Sequence, residues 1–289
     1  MDEPFTTAFY DLARLLPLRA TFAALDPADE PRAVVVASPA PQVGGAGGAT
    51  MGILAGSFDP LTNAHIALAQ AARERGGCAV VFLALSRHTV NKEARVRPTD
   101  TDRALLLRRY AARHPGLGVL LFNRGLYADQ ALAARAAFPG ADIRFIVGFD
   151  KARQIFDPRY YADRDAALRA LFGAITLLVA PRDDDGADDL AALLAQPANR
   201  PFRDAVRPLP LDPALAADSA TVVREAAREG RPFAHLVPPE TAAFIEELRP
   251  YASPPRGGTP DRYARREALI ARFAAAAGGA PTAAHFRAL

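Results

Sequence analysis

From Met51 onward the chain alternates between short apolar runs and longer segments with helical spacing. The runs Gly52–Ala55, Ala79–Leu85, Gly118–Phe122, Ile143–Val147 and Ile175–Ala180 have the length of strands. They show little alternation of apolar with polar residues, which suits strands buried on both faces. Between them, Asn63–Arg75, Thr101–Arg113, Tyr127–Phe138 and Asp163–Leu171 read as helices. Strand and helix in succession predict right-handed crossovers and a doubly wound, Rossmann-like α/β domain with a parallel sheet. Further helices are expected to open near Ser219 and to span Pro239–Leu248.

The flanks read differently. A helix is expected over Phe5–Leu16, ended by Pro and Asp, then a short strand within Arg32–Ala40. The Gly/Pro-rich stretches Pro41–Thr50 and Ser253–Pro260 read as linkers. An Ala/Arg-rich helix is expected over Asp261–Ala277. The expected division is therefore an N-terminal extension and linker (1–47), the α/β domain (48–252), and a linker with a C-terminal helix (253–289). The helical extensions are expected to be dispensable for chemistry. The acidic run Pro181–Asp189 reads as a solvated loop.

Half of the 289 residues are hydrophobic and the net charge is +3. The excess charge is spread along the chain. It suits small anionic ligands and gives no concentrated basic face for nucleic acid. The single cysteine, Cys78, lies in an apolar run and is expected to be buried, so no disulfide forms within the chain. No apolar run approaches membrane-span length and no leader pattern is seen, so the expectation is a cytoplasmic protein without a membrane partner. Among the 35 basic residues only Lys92 and Lys151 are lysines. In so arginine-rich a chain the two ammonium groups mark positions of interest, because a compact, mobile charge does what a planar fork cannot.

In an open parallel sheet, ligands bind beyond the carboxyl ends of the strands. The loop after the first strand is Gly56-Ser57-Phe58-Asp59, where glycine admits close backbone approach to phosphate. The helix that follows starts near Thr62 and carries His65 in its first turn, where the dipole opposes protonation and favours anions. Lys92 follows the second strand, and Gly148, Asp150 and Lys151 follow the fourth. Near the later helix start, Ser219 or Asp218 is a candidate N-cap, with Thr221 and Arg224 one turn apart. A glycine turn, a histidine, lysines, an arginine and hydroxyls compose a polyphosphate site. There is no G-x-x-x-x-G-K-[ST], no G-x-G-x-x-G after the first strand and no zinc-ligand spacing.

These residues resemble a known family. "GSFDPLTNAH" is similar to the first signature of the nucleotidylyltransferase superfamily and "DSATVVR" to its second. "RFIVGFDKARQIFDPRYY" resembles a segment of nicotinamide-nucleotide adenylyltransferases of the fungal, cytidylyltransferase-like branch. The resemblance spans roughly residues 50–250. It implies that Gly56, Ser57 and Phe58, with Asp59, form the ATP phosphate turn. It places Thr62 and His65 on the phosphates, His65 at the reacting phosphoryl group, and Ser219, Thr221 and Arg224 on the β- and γ-phosphates. Lys92 is implied at the mononucleotide phosphate, with Arg103 opening the next helix, and Asp150, after Gly148 and beside Lys151, near the adenosine ribose. Relatives often stack the pyridine ring on tryptophan; this chain has none, leaving Phe156, Tyr160 or Tyr161. The implied reaction joins ATP, with Mg²⁺, to nicotinamide mononucleotide. The alternatives are nicotinate mononucleotide as acceptor, cytidylyl transfer to a phosphoalcohol, and a non-catalytic ATP-binding regulatory module. Homo-oligomerisation is left open.

Overall fold

The computed structural model describes residues 9, 11–40, 49–87, 97–180, 186–211, 219–253 and 260–276. Seven strands form one sheet: β1 (Ala33–Ala37), β2 (Thr50–Ala55), β3 (Val80–Ser86), β4 (Leu117–Phe122), β5 (Asp142–Gly148), β6 (Thr176–Ala180) and β7 (Val206–Pro208). Their order across the sheet is β1-β4-β3-β2-β5-β6-β7. All neighbours run parallel except β1, which pairs antiparallel with β4. The chain winds outward from β2 through β3 to β4, then returns to the other side of β2 with β5. The reversal leaves a crevice at the carboxyl ends of β2 and β5.

The unbroken apolar runs have a direct explanation. Val81, Leu83 and Leu85 of β3 enter one core, while Val80, Phe82 and Ala84 enter the other. In β5, Ile146 faces the first core and Ile143, Phe145 and Val147 the second. Helices α1 (Leu12–Ala23), α2 (Asn63–Glu74) and α3 (Asp100–Ala111) cover the first face. On the second face lie α4 (Tyr127–Ala137), α5 (Phe149–Phe156), α6 (Arg164–Ala174) and α7 (Gly186–Ala195). Helices α8 (Ala220–Glu229), α9 (Pro239–Leu248) and α10 (Arg262–Ala276) return to the first face.

Three expectations are revised. The N-terminal helix lies at Leu12–Ala23, beyond the expected end at Leu16, with Pro17 inside it. Proline forfeits one backbone hydrogen bond there, and burial of Leu15, Leu16, Leu18 and Phe22 offsets that loss. The acidic run continues into α7, whose first turn carries Asp188 and Asp189 against the positive end of the helix. Asp150 and Lys151 stand in the first turn of α5, not in a loop.

Packing runs across both expected domain boundaries. Strand β1 extends the sheet, and α1 packs against α3 and α10. Arg87, just past β3, donates to the carbonyls of Phe22 (2.6 Å), Ala23 (2.9 Å) and Leu25 (3.0 Å), holding the end of α1. Arg266 of α10 is buried; it donates to the Phe9 carbonyl at 2.7 and 2.9 Å and lies 2.7 Å from Asp102 of α3. The Tyr263 hydroxyl bonds Asp102 and accepts from the Thr99 N–H at 2.9 Å. Cys78 is buried as expected, and burial pushes its thiol up to about 11.

Candidate active site

Residues at the carboxyl ends of four parallel strands enclose a cavity of ≈ 200 Å³. Ala55, Gly56 and Ser57 contribute from β2 and Ser86 from β3. The segment after β4 contributes Gly125, Leu126 and Tyr127, and α5 contributes Lys151 and Gln154. Tyr160 and Tyr161 close the wall.

Beside it runs the turn of the first signature. Phe58 has a positive φ of 41° and is fully buried, so the turn folds its ring inward under the glycine. A Cβ on Gly56 would meet that ring at 3.2 Å, which is why glycine fits. Arg103, nearly buried on α3, donates to the Ser57 carbonyl and pairs with Asp100. Its place is therefore beneath the turn, as a brace.

Thr62 is the N-cap of α2 and is fully buried. Its backbone N–H donates to His65 Nδ1 at 3.1 Å, and its hydroxyl lies 2.8 Å from the same nitrogen. An N–H donor facing Nδ1 requires that nitrogen to be the acceptor, so the neutral imidazole carries its proton on Nε2. The Phe58 ring stands 5.0 Å from the imidazole and limits its tilt.

The two signatures meet, although 165 residues separate Asp59 from Arg224. Arg224 donates to the Asp59 carbonyl at 2.6 Å and to Thr221 Oγ1 at 2.9 Å. Its guanidinium lies 3.9 Å from the buried Asp59 carboxylate. Tyr251 donates to the other Asp59 oxygen at 2.7 Å. Ser219 caps α8 by accepting from the Thr221 N–H at 3.2 Å. The arginine is thus fixed to the first signature and is not a solvated surface group.

The β5 end contributes Gly148, the N-cap of α5, where an added Cβ would meet nothing within 4 Å. Fold packing does not demand glycine there; an open strand end does fit close approach by a ligand. Asp150 is exposed on the first turn of α5. Lys151 donates to Gln154 at 2.7 Å. Of the three aromatic candidates, Tyr160 and Tyr161 line the cavity, while Phe156 is buried and stacks on Phe172 at 5.6 Å. Tyr161 donates to the Ile155 carbonyl at 2.8 Å, and burial pushes its hydroxyl up to about 12, so it stays a neutral wall. Lys92 and Asp218 lie outside the described residues.

Sequence reasoning missed Tyr127, Gln130 and Tyr251. The first two were read only as helix, and their distance from every motif gave no signal. Tyr127 packs edge-on against Phe145 at 5.9 Å and lines the cavity.

Comparison with known proteins agrees with this geometry. A cytidylyltransferase-like family model matches residues 53–119. The "Probable nicotinate-nucleotide adenylyltransferase" of Laribacter hongkongensis is 33% identical over 204 residues, 65% of this chain and 88% of that protein. A protein of the same description from Chlorobaculum tepidum is 26% identical over 215 residues, 70% of this chain and 98% of that protein. In fold, the chain is similar to Plasmodium falciparum nicotinic acid mononucleotide adenylyltransferase, solved in complex with NaAD. The TM-score is 0.50 at 14% identity, over 70% of this chain and 97% of that one. Among the described residues no helix is long and apolar enough to cross a membrane. Fold, signatures and relatives agree: the chain belongs to the nicotinate-nucleotide adenylyltransferase family of cytidylyltransferase-like proteins and is a nucleotidyltransferase.

Proposed function

We propose that the protein transfers the adenylyl group of ATP to nicotinate mononucleotide, giving the deamido dinucleotide and pyrophosphate. The cavity wall carries this reading. Among the described residues that line it, Lys151 is the one that carries a charge, and none is a carboxylate. Gly125, Leu126 and Tyr127 lead into α4 along the same wall, and no side chain caps that helix. A cation and an uncapped helix N-terminus favour an acceptor with an added negative charge. The relatives' names support nicotinate, whereas the likeness of Arg144–Tyr161 to the fungal branch had pointed to nicotinamide.

In this reading the 5′-phosphate oxygen of the mononucleotide attacks the α-phosphorus of ATP. The bond from that phosphorus to the bridging oxygen breaks, and pyrophosphate leaves. The nucleophile is already anionic, so the protein's work is positioning and charge stabilisation. Gly56, Ser57 and Phe58 shape the phosphate turn, with Asp59 joining it to Arg224. His65 donates from Nε2 to the α-phosphoryl oxygen, and Thr62 fixes the imidazole. Ser219, Thr221 and Arg224 take the β- and γ-phosphates. Gly148 and Asp150 serve the adenosine side, Lys151 the acceptor, and Lys92 the mononucleotide phosphate. Arg103 acts through the Ser57 carbonyl. Among the described residues no cluster of three metal-binding side chains exists. Mg²⁺ would come with ATP and, when bound, would neutralise charge on the phosphates.

Arg224→Ala should raise KM for ATP by about 10- to 100-fold with a smaller fall in kcat, because a phosphate clamp holds ground and transition states alike. Unchanged constants would leave the second signature a helix cap only. The acceptor is tested by pyrophosphate release with each mononucleotide supplied separately. A higher kcat/KM for nicotinate mononucleotide is expected; equal or reversed values would overturn that choice.

A further inference from the structure

Gln130 sits in the first turns of α4, 3% exposed, and lines the cavity. Its Nε2 lies 2.8 Å from Ser86 Oγ, 3.2 Å from the Gly125 carbonyl and 3.3 Å from the Arg124 carbonyl. Carbonyls only accept, so the amide nitrogen must be the atom facing them, and its two protons are shared among three oxygens. The carboxamide oxygen on the other side is buried and has no hydrogen-bond partner among the described residues. A buried acceptor left without a partner is costly, so its place in the cavity wall asks for a role there.

The three oxygens come from two walls. Ser86 ends β3, while Arg124 and Gly125 follow β4; Ser86 and Gly125 both line the cavity. One buried amide therefore ties together the two strand ends on the acceptor side. We propose that Gln130 is a positioning residue for the acceptor: it sets the spacing of the Ser86 and Gly125–Tyr127 walls, and so the fit of the mononucleotide, without touching the reacting phosphates. This rests on the acceptor reading given above.

Gln130→Glu tests it. The introduced carboxyl is nearly isosteric. Protonated, it keeps one donor; ionised, it keeps none and sets a charge against three oxygens, and burial shifts its titration upward. Relative to wild type at each pH, KM for nicotinate mononucleotide should be about tenfold higher at pH 8.5 and within about threefold at pH 6, with KM for ATP within about twofold at both. A merely structural residue would move both KM values together. KM values that rise together, or a mononucleotide KM that does not move, overturn the inference. If the variant does not fold, Gln130→Met is read by the same split between the two substrates at pH 8.5. Failure of both to fold makes Gln130 a folding residue and overturns the proposal. Wild-type protein that uses neither mononucleotide overturns the acceptor reading and this inference together. Wild-type turnover without the split overturns this inference alone.

Discussion

His65→Ala is expected to lower kcat by about 10²–10⁴ while the Kd of ATP changes by less than about threefold. The imidazole is held from behind: the Thr62 N–H and hydroxyl occupy the Nδ1 side, and the Phe58 ring fixes the plane. With Nδ1 accepting, the neutral ring carries its N–H on Nε2, in the first turn of α2. Its proposed partner is an α-phosphoryl oxygen whose charge rises as pyrophosphate departs. A contact that strengthens only on the way to the transition state appears in kcat and hardly in binding. Single-turnover rates alongside ATP binding by calorimetry separate the two. A variant with near-wild-type kcat would remove His65 from the chemistry.

The second large effect is on stability. Arg266→Ala is expected to cost about 3–5 kcal/mol, because it leaves the Asp102 carboxylate buried without its counter-charge. Both side chains are nearly inaccessible, at 1% each. The same guanidinium holds the Phe9 carbonyl, so two distant parts of the chain, around Phe9 and Asp102, lose their common partner. The exposed neighbour Arg265→Ala serves as control and should stay within about 0.5 kcal/mol. Urea unfolding of both variants checks this, and a loss below about 1 kcal/mol for Arg266→Ala would mean that the cluster is not a buried ion pair. A chain cut to residues 48–252 would lack Arg266, Tyr263, α1 and β1. We propose that such a chain loses the covering of α3 and folds poorly, in place of the active core that the Gly/Pro-rich stretches suggested.

The parallel sheet was legible because both of its faces are covered. Unbroken apolar runs such as Ala79–Leu85 need no partner to be recognised, and Val80–Ser86 is a strand. Helix α2 was legible from Thr62 and His65, since an N-cap and its first turn are local chemistry. Helix α5 was not. Phe149–Phe156 is short and carries Asp150, Lys151 and Arg153, so its apolar face is seen only once Ala152, Ile155 and Phe156 are buried against the sheet. The first turn of α7 was hidden for a related reason: acidic residues suit a solvated loop and a helix N-terminus equally well.

At the site, the residues proposed to approach phosphate were readable as short motifs. Those that hold them were not. Asp59 looked like a ligand contact, yet it is 1% exposed and joins Tyr251 to Arg224. Arg103 read as a substrate-binding residue that opens a helix, and its guanidinium lies under the Ser57 carbonyl. Gln130 and Tyr251 have no motif around them, because their roles arise from contacts between segments far apart in sequence. A buried polar group declares itself only when its neighbours are known.

The most direct measurement follows the α-phosphorus. ATP labelled at that phosphate, with Mg²⁺ and an equimolar mixture of nicotinate and nicotinamide mononucleotides, is given to the purified protein, residues 1–289, and the products are separated. The expected result is label in the deamido dinucleotide, exceeding label in NAD by at least about tenfold, with unlabelled pyrophosphate released. Label chiefly in NAD would contradict the acceptor assigned here. Label remaining in ATP, under conditions where the protein is folded, would contradict adenylyl transfer to either mononucleotide.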